Sequence, residues 1–163
     1  MNKVAIKERT AIKSTAKIII DTRFGKITVD PSKLINFPLG LLGIPQEKKY
    51  YLVAYPDKDV QSYSLLQSSQ FEKLCFLTIP LAEEFYSTEK SLIAKSDILL
   101  AKEHYNIREL SILLVATIHN NKTTKASRIS VNLKAPILID TDKLVAYQHV
   151  FIRKEYSLKH YLN

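Results

Sequence analysis

Four histidines (His104, His119, His149 and His160) and one cysteine, Cys75, are the side chains best suited to nucleophilic, proton-transfer or metal chemistry. A metal site needs ligands at recurring short spacings, and no histidine here pairs with another histidine or with the cysteine in that way. Cys75 lies inside Leu74-Cys-Phe-Leu, where burial raises a thiol's pKa and makes it inert. Its expected role is core packing. Glu83-Glu84 is the nearest thing to a carboxylate pair, but neighbours in an extended segment point to opposite faces, as in a solvated rim. Gly40-Leu-Leu-Gly43 lacks the Lys-Ser/Thr ending of a phosphate loop, and no dinucleotide fingerprint is present. These residues give an enzyme no support; no catalytic residue, metal site or cofactor is expected.

The elements that would position any site read as mainly β. Lys17–Arg23 and Lys26–Asp30 flank Phe24-Gly25 and predict a hairpin. Two of the three glycines and three of the six prolines fall between Pro31 and Pro45, a connection that cannot be helical throughout. Leu39, Leu41, Leu42 and Ile44 should fold it back over the core. Lys49–Tyr55, Tyr63–Ser68 and Leu74–Ile79 read as strands, two of them apolar enough to be buried on both faces. Phe71-Glu72-Lys73 predicts a single helical turn. Ser96–Tyr105 predicts the one helix, with Ser96 as N-cap and Asp97 favouring the first turn.

A long strand follows over Glu109–Ile118, turned by Asn120-Asn121-Lys122. From Arg128 to Asp140 two β-type runs are stopped and restarted by Asn132 and Pro136. Pro136 cannot donate a ladder hydrogen bond and belongs at a strand start, an edge or a bulge. Val145–Ile152 closes the pattern. Strands at short intervals with one helix predict a small antiparallel β-barrel or strongly curved sheet. One domain over 17–163 is expected, after a basic, disordered extension over 1–16.

Composition narrows the partners. No apolar run reaches the roughly 20 residues of a membrane-spanning helix, and Val4 and Ile6 are hemmed in by Lys3, Lys7 and Arg9, unlike a signal peptide. A single cysteine suits a reducing compartment, so a cytoplasmic protein is expected. Nothing suggests a coiled coil, and a monomer is expected. The formal net charge is +8, of which residues 1–17 carry +4 and the remaining 146 residues +4. A basic barrel with Tyr50, Tyr51, Tyr55 and Tyr63 among its strands leaves open a second reading, direct RNA binding through lysine-rich edges and the extension.

From about Ile18 to Leu162 the chain resembles the flagellar assembly factor FliW family. The resemblance rests on Thr22-Arg-Phe-Gly-Lys-Ile-Thr-Val, Asn36-Phe-Pro-Leu-Gly-Leu-Leu-Gly-Ile, Tyr63-Ser-Leu-Leu-Gln-Ser and Leu74–Pro80. Ser130-Val-Asn-Leu-Lys-Ala-Pro-Ile-Leu-Ile-Asp, Tyr147-Gln-His-Val and Tyr156-Ser-Leu-Lys-His continue it in order. It implies function by binding. Family members bind the translational repressor CsrA, release flagellin mRNA from it, and bind flagellin in a partner switch. The chain departs from the family in charge: members are commonly acidic, and a basic body would not repel RNA from bound CsrA. Antagonism through packing is therefore the form expected here. The candidate partner-binding residues are Asn132, Lys134, Pro136, Gln148 and His160. Lys134, between Leu133 and Ala135, should point outward. Each has an architectural alternative: Asn132 can bond its own turn, and Pro136 can simply end a strand. Lys134→Glu is expected to weaken partner binding with little loss of fold.

Overall fold

The computed structural model describes residues 16–57, 62–83 and 91–162. The expected disorder of the basic extension lies, except for Ala16, outside these residues, as does Glu84 of the carboxylate pair. Strands β1 (Ile18–Thr22) and β2 (Gly25–Val29) form the opening hairpin, and a 3-10 turn over Pro31–Lys33 leads into β3 (Leu34–Asn36). Then come β4 (Lys49–Ala54), β5 (Ser64–Ser68), β6 (Cys75–Pro80) and helix α1 (Lys95–His104). The chain ends with β7 (Leu110–Asn120), β8 (Ser127–Val131), β9 (Ile137–Asp140), β10 (Val145–Gln148) and β11 (His160–Leu162).

Seven strands close into a barrel in the order β7-β6-β5-β4-β3-β10-β9, with β9 returning to β7. Closure depends on the length of β7. Its first part, Leu110–Leu113, pairs with β9, and its last part, Ala116–Asn120, pairs with β8. The second half of β7, with β8 and β11, projects as a three-stranded wing. Among the described strands all pairings are antiparallel but one: β10 meets β3 in parallel at Val145 and Asn36.

Alternation divides the apolar residues into two cores. Ile35, Tyr50, Leu66, Leu113, Ile137, Ile139 and Ala146 fill the barrel interior with Phe37 and Leu41 of the proline-glycine loop. Their neighbours Tyr51, Leu65, Cys75, Leu77, Ile112, Leu114 and Leu138 point outward. They are covered by Ile20, Ile27 and Val29 of the hairpin, Ile98 and Ala101 of α1, and Phe151 and Tyr156 of the closing segment. Burial on both faces is why these strands read as continuous apolar runs. Cys75 lies in the outer layer, where burial pushes its thiol up to about 11.

Several expectations need correction. Ser96 is exposed and is not the N-cap; α1 begins one residue earlier, after Ala94, with no side-chain cap. Its other end is a Schellman closure: Asn106 adopts φ 54, its N–H donates to Glu103 O at 3.0 Å, and Ile107 N–H donates to Lys102 O at 3.0 Å. The Pro31–Pro45 connection contains β3, which was not expected, and of Leu39, Leu41, Leu42 and Ile44 only Leu41 is buried. Gly40 makes its tight return possible: at φ +67, an added Cβ would lie 2.7 Å from Pro45 Cα. β10 stops at Gln148 rather than Ile152, and β11 was not foreseen. The Phe71–Lys73 turn is present, closed by Leu74 N–H to Phe71 O at 3.0 Å.

Candidate functional site

The Asn132–Pro136 corner is a knot of backbone hydrogen bonds. Asn132 Oδ1 accepts the Ala135 N–H at 3.0 Å and so bonds its own turn, while its N–H donates to Val115 O at 2.9 Å. Pro136 is buried immediately before β9, the strand-start position its missing donor requires. The closing segment then runs alongside the corner. His149 N–H donates to Pro136 O at 3.0 Å, Phe151 N–H to Lys134 O at 2.8 Å, and Leu133 N–H to Ser157 O at 2.9 Å.

Gln148 joins three parts of the chain. Its Nε2 donates to Ala135 O at 3.1 Å, and its Oε1 accepts the Leu42 N–H of the proline-glycine loop at 2.9 Å. Lys134 is only half-exposed, and its Nζ donates to Arg153 O at 3.1 Å. It is less outward than its place between two apolar residues suggests. Asn132, Lys134, Pro136 and Gln148 thus meet in one clamp, and half-buried His160 stands beside it, paired in register with Val131. The clamp fixes the path of residues 149–153.

That path borders an open groove of about 380 Å³, lined by Leu100 and Ala101 of α1 and by Val150, Phe151 and Ile152. Ile152 is 96% exposed, Leu100 66% and Val150 46%. Sequence reading missed these three. Val150 and Ile152 lie in a run that reads as strand and therefore as core, and nothing in their types marks them as uncovered. Asp97 and Arg153 form one rim of the groove, paired at 3.1 Å. Tyr156 hydroxyl donates to Asp97 and accepts the Ala94 N–H at 2.9 Å, so it ties the residue before α1 to a carboxylate in the helix's first turn. Burial, then the Asp97 carboxylate, raises the Tyr156 phenol's pKa.

At the other rim His149 shares a 2.9 Å hydrogen bond between Nδ1 and the Tyr105 hydroxyl, and Tyr105 stacks on Tyr147 with centroids 4.4 Å apart. Burial first, then nearby His104, holds the His149 imidazole below its ordinary value, while Asp97 pulls the other way.

A second surface lies on the wing. His119 and Arg128 sit opposite each other across β7 and β8, and the Arg128 guanidinium lies 3.9 Å from the Tyr161 ring centroid. Among the described residues, no group of three or more His, Cys, Asp or Glu side chains gathers to hold a metal ion. No described helix is long and apolar enough to cross a membrane. Tyr50 and Tyr51 are buried, so neither offers a ring for base stacking.

These features define a class: a seven-stranded closed barrel with a covered outer layer, one exposed apolar groove and one basic wing. Residues 17–162 match the family described as FliW protein, and the chain belongs to that family. The flagellar assembly factor FliW of Desulfitobacterium hafniense (strain Y51) is 32% identical over 150 residues, spanning 88% of this chain and 90% of that protein. The flagellar assembly factor FliW of Natranaerobius thermophilus is 32% identical over 144 residues, spanning 87% and 89%. A crystal structure of the flagellar assembly factor FliW shares the fold at a TM-score of 0.61 and 20% identity, covering 89% of this chain and 95% of that one. These relatives are named for flagellar assembly, not for a reaction.

Proposed function

We propose that this protein is a cytoplasmic, non-catalytic regulator of flagellum assembly that acts by holding protein partners. It binds CsrA and thereby releases flagellin mRNA for translation. It also binds flagellin, so that export of flagellin frees it to take up CsrA. The names of the two partners come from the family resemblance. The observation that supports a protein-binding surface is the exposed apolar strip of Leu100, Val150 and Ile152 beside α1.

Covering one aliphatic side chain is worth about 1.5–3 kcal/mol, and about 1.4 kcal/mol is tenfold in affinity. A strip of three can therefore anchor a partner without a charged contact. In this reading the contact is made by Leu100, Val150 and Ile152. Asn132, Lys134, Pro136 and Gln148 are positioning residues that set the strip's path, and His160 supports the corner from β11. Two partners sharing one strip exclude each other, which gives a switch without any change of fold.

Ile152→Asp, alone and with Leu100→Asp, tests this. Calorimetry should show CsrA binding weakened at least tenfold, with far-UV circular dichroism unchanged. Lys134→Glu should weaken binding less, because it acts through the Arg153 carbonyl. Unchanged affinity in the folded double variant would remove the strip from the interface.

A further inference from the structure

We propose that the wing formed by β7, β8 and β11 carries a separate site for single-stranded RNA, centred on Arg128, Tyr161 and the turn bearing Lys122 and Lys125. The site uses none of the residues of the apolar strip, and it goes beyond the partner switch. A groove of about 560 Å³ lies here, lined by cationic, aromatic and uncharged polar side chains, with no carboxylate among the lining residues. It contains His119, Asn120, Lys122, Thr124, Arg128 and Tyr161.

Strand register explains why these groups converge. His119 faces Arg128, and Tyr161 faces Ser130, so they alternate away from Ile129 and Val131, which pack into the outer core. His119 Nε2 is fixed by Ser130 Oγ at 2.8 Å, and its ring lies 5.4 Å from that of Tyr161. The turn is equally fixed. Asn121 Oδ1 accepts the Thr123 and Thr124 N–H groups at 2.9 and 3.2 Å, and Lys125 N–H donates to Asn121 O at 2.9 Å. The two ion pairs found among the described residues, Lys17–Asp30 and Arg153–Asp97, involve none of Lys122, Lys125 and Arg128.

The chemistry favours a nucleic acid over an acidic peptide. Carboxylates need only donors, whereas this groove also presents the Tyr161 ring and the Arg128 plane, surfaces on which a base can stack. Arg128 has one face on Tyr161 and is itself exposed, leaving a planar cation on which an unstacked base can lie. Lys122 and Lys125 then meet phosphates. A duplex would keep its bases out of reach of this stack, so the ligand is single-stranded.

The test is fluorescence anisotropy of the full-length chain with labelled oligo-uridylate and oligo-adenylate RNA of roughly 12 nucleotides, across salt from about 50 to 200 mM. A labelled polyglutamate peptide of equal length serves as comparison. Lys122→Gln with Lys125→Gln should weaken RNA binding at least tenfold at low salt and reduce the log–log salt slope by about 1.4, since each phosphate contact to a single strand contributes about 0.7. Tyr161→Ala should weaken binding at least fivefold while leaving calorimetric CsrA binding unchanged. Three results would overturn the proposal: no RNA binding at the lowest salt, wild-type RNA affinity in the folded double variant, which places binding in the basic extension, or polyglutamate binding as tight as RNA with the same sensitivity to the variants.

Discussion

Gln148 uses both ends of its amide on backbone groups from two distant segments, Ala135 and Leu42. Gln148→Ala leaves the part-buried Ala135 carbonyl unpaired and gives the exposed Leu42 N–H to water; it should cost about 1–3 kcal/mol, read as a lower denaturant midpoint with an unchanged slope. His149 makes a second residue-scale prediction. Burial and His104 depress its pKa, so the neutral ring is the folded form. The stability this contributes is present above the ordinary histidine value of about 6.5 and is lost as pH falls through the lower folded value. An NMR titration should place the His149 midpoint below about 6.5, and His104→Gln should raise it. A midpoint at or above the ordinary value would contradict the packing around Tyr105. At this scale the sequence was partly legible. Asn132 and Pro136 were readable because their backbone chemistry is local. Lys134 was not, because what half-covers it is the segment 149–153, which arrives from elsewhere in the chain.

Helix α1 shows what an element can hide. Its first turn is held by Tyr156, 59 residues beyond Asp97, rather than by the serine next to it. Ser96→Ala should therefore change stability by less than about 0.5 kcal/mol, whereas Tyr156→Phe should cost about 1–3 kcal/mol. Thermal unfolding of the two variants decides it, and a larger loss for Ser96→Ala would contradict this role of Tyr156. β4 to β7 are legible from apolar residues on both faces, and β1, β2, β8 and β9 from the turn and breaker residues that bound them. β3 and β11 are three residues each, too short for any period to register. The parallel closure of β10 on β3 was equally out of reach, since it rests on a single register pair, Val145 with Asn36, beside which Asn36 N–H donates to Leu144 O at 2.9 Å.

Across the whole molecule, contrast matters more than any one group. The apolar strip sits between α1 and the closing segment, while unpaired cations collect on the wing. The formal net charge of +8 therefore does not make the protein uniformly attractive to polyanions. An apolar face remains beside α1, and in the proposed function antagonism of CsrA would come from packing there rather than from repelling RNA. The exposed aliphatic residues Leu100, Val150 and Ile152 were illegible in the sequence because exposure of an isoleucine is decided by what fails to cover it, and that is settled only by tertiary packing.

Calorimetric titration of the full-length chain with its host's CsrA, repeated with saturating flagellin, tests the partner switch most directly. The expected result is sub-micromolar CsrA binding that lowers CsrA's affinity for flagellin mRNA and disappears when flagellin is present. Absence of binding to both proteins would contradict the switch, and simultaneous binding of both would contradict the shared strip.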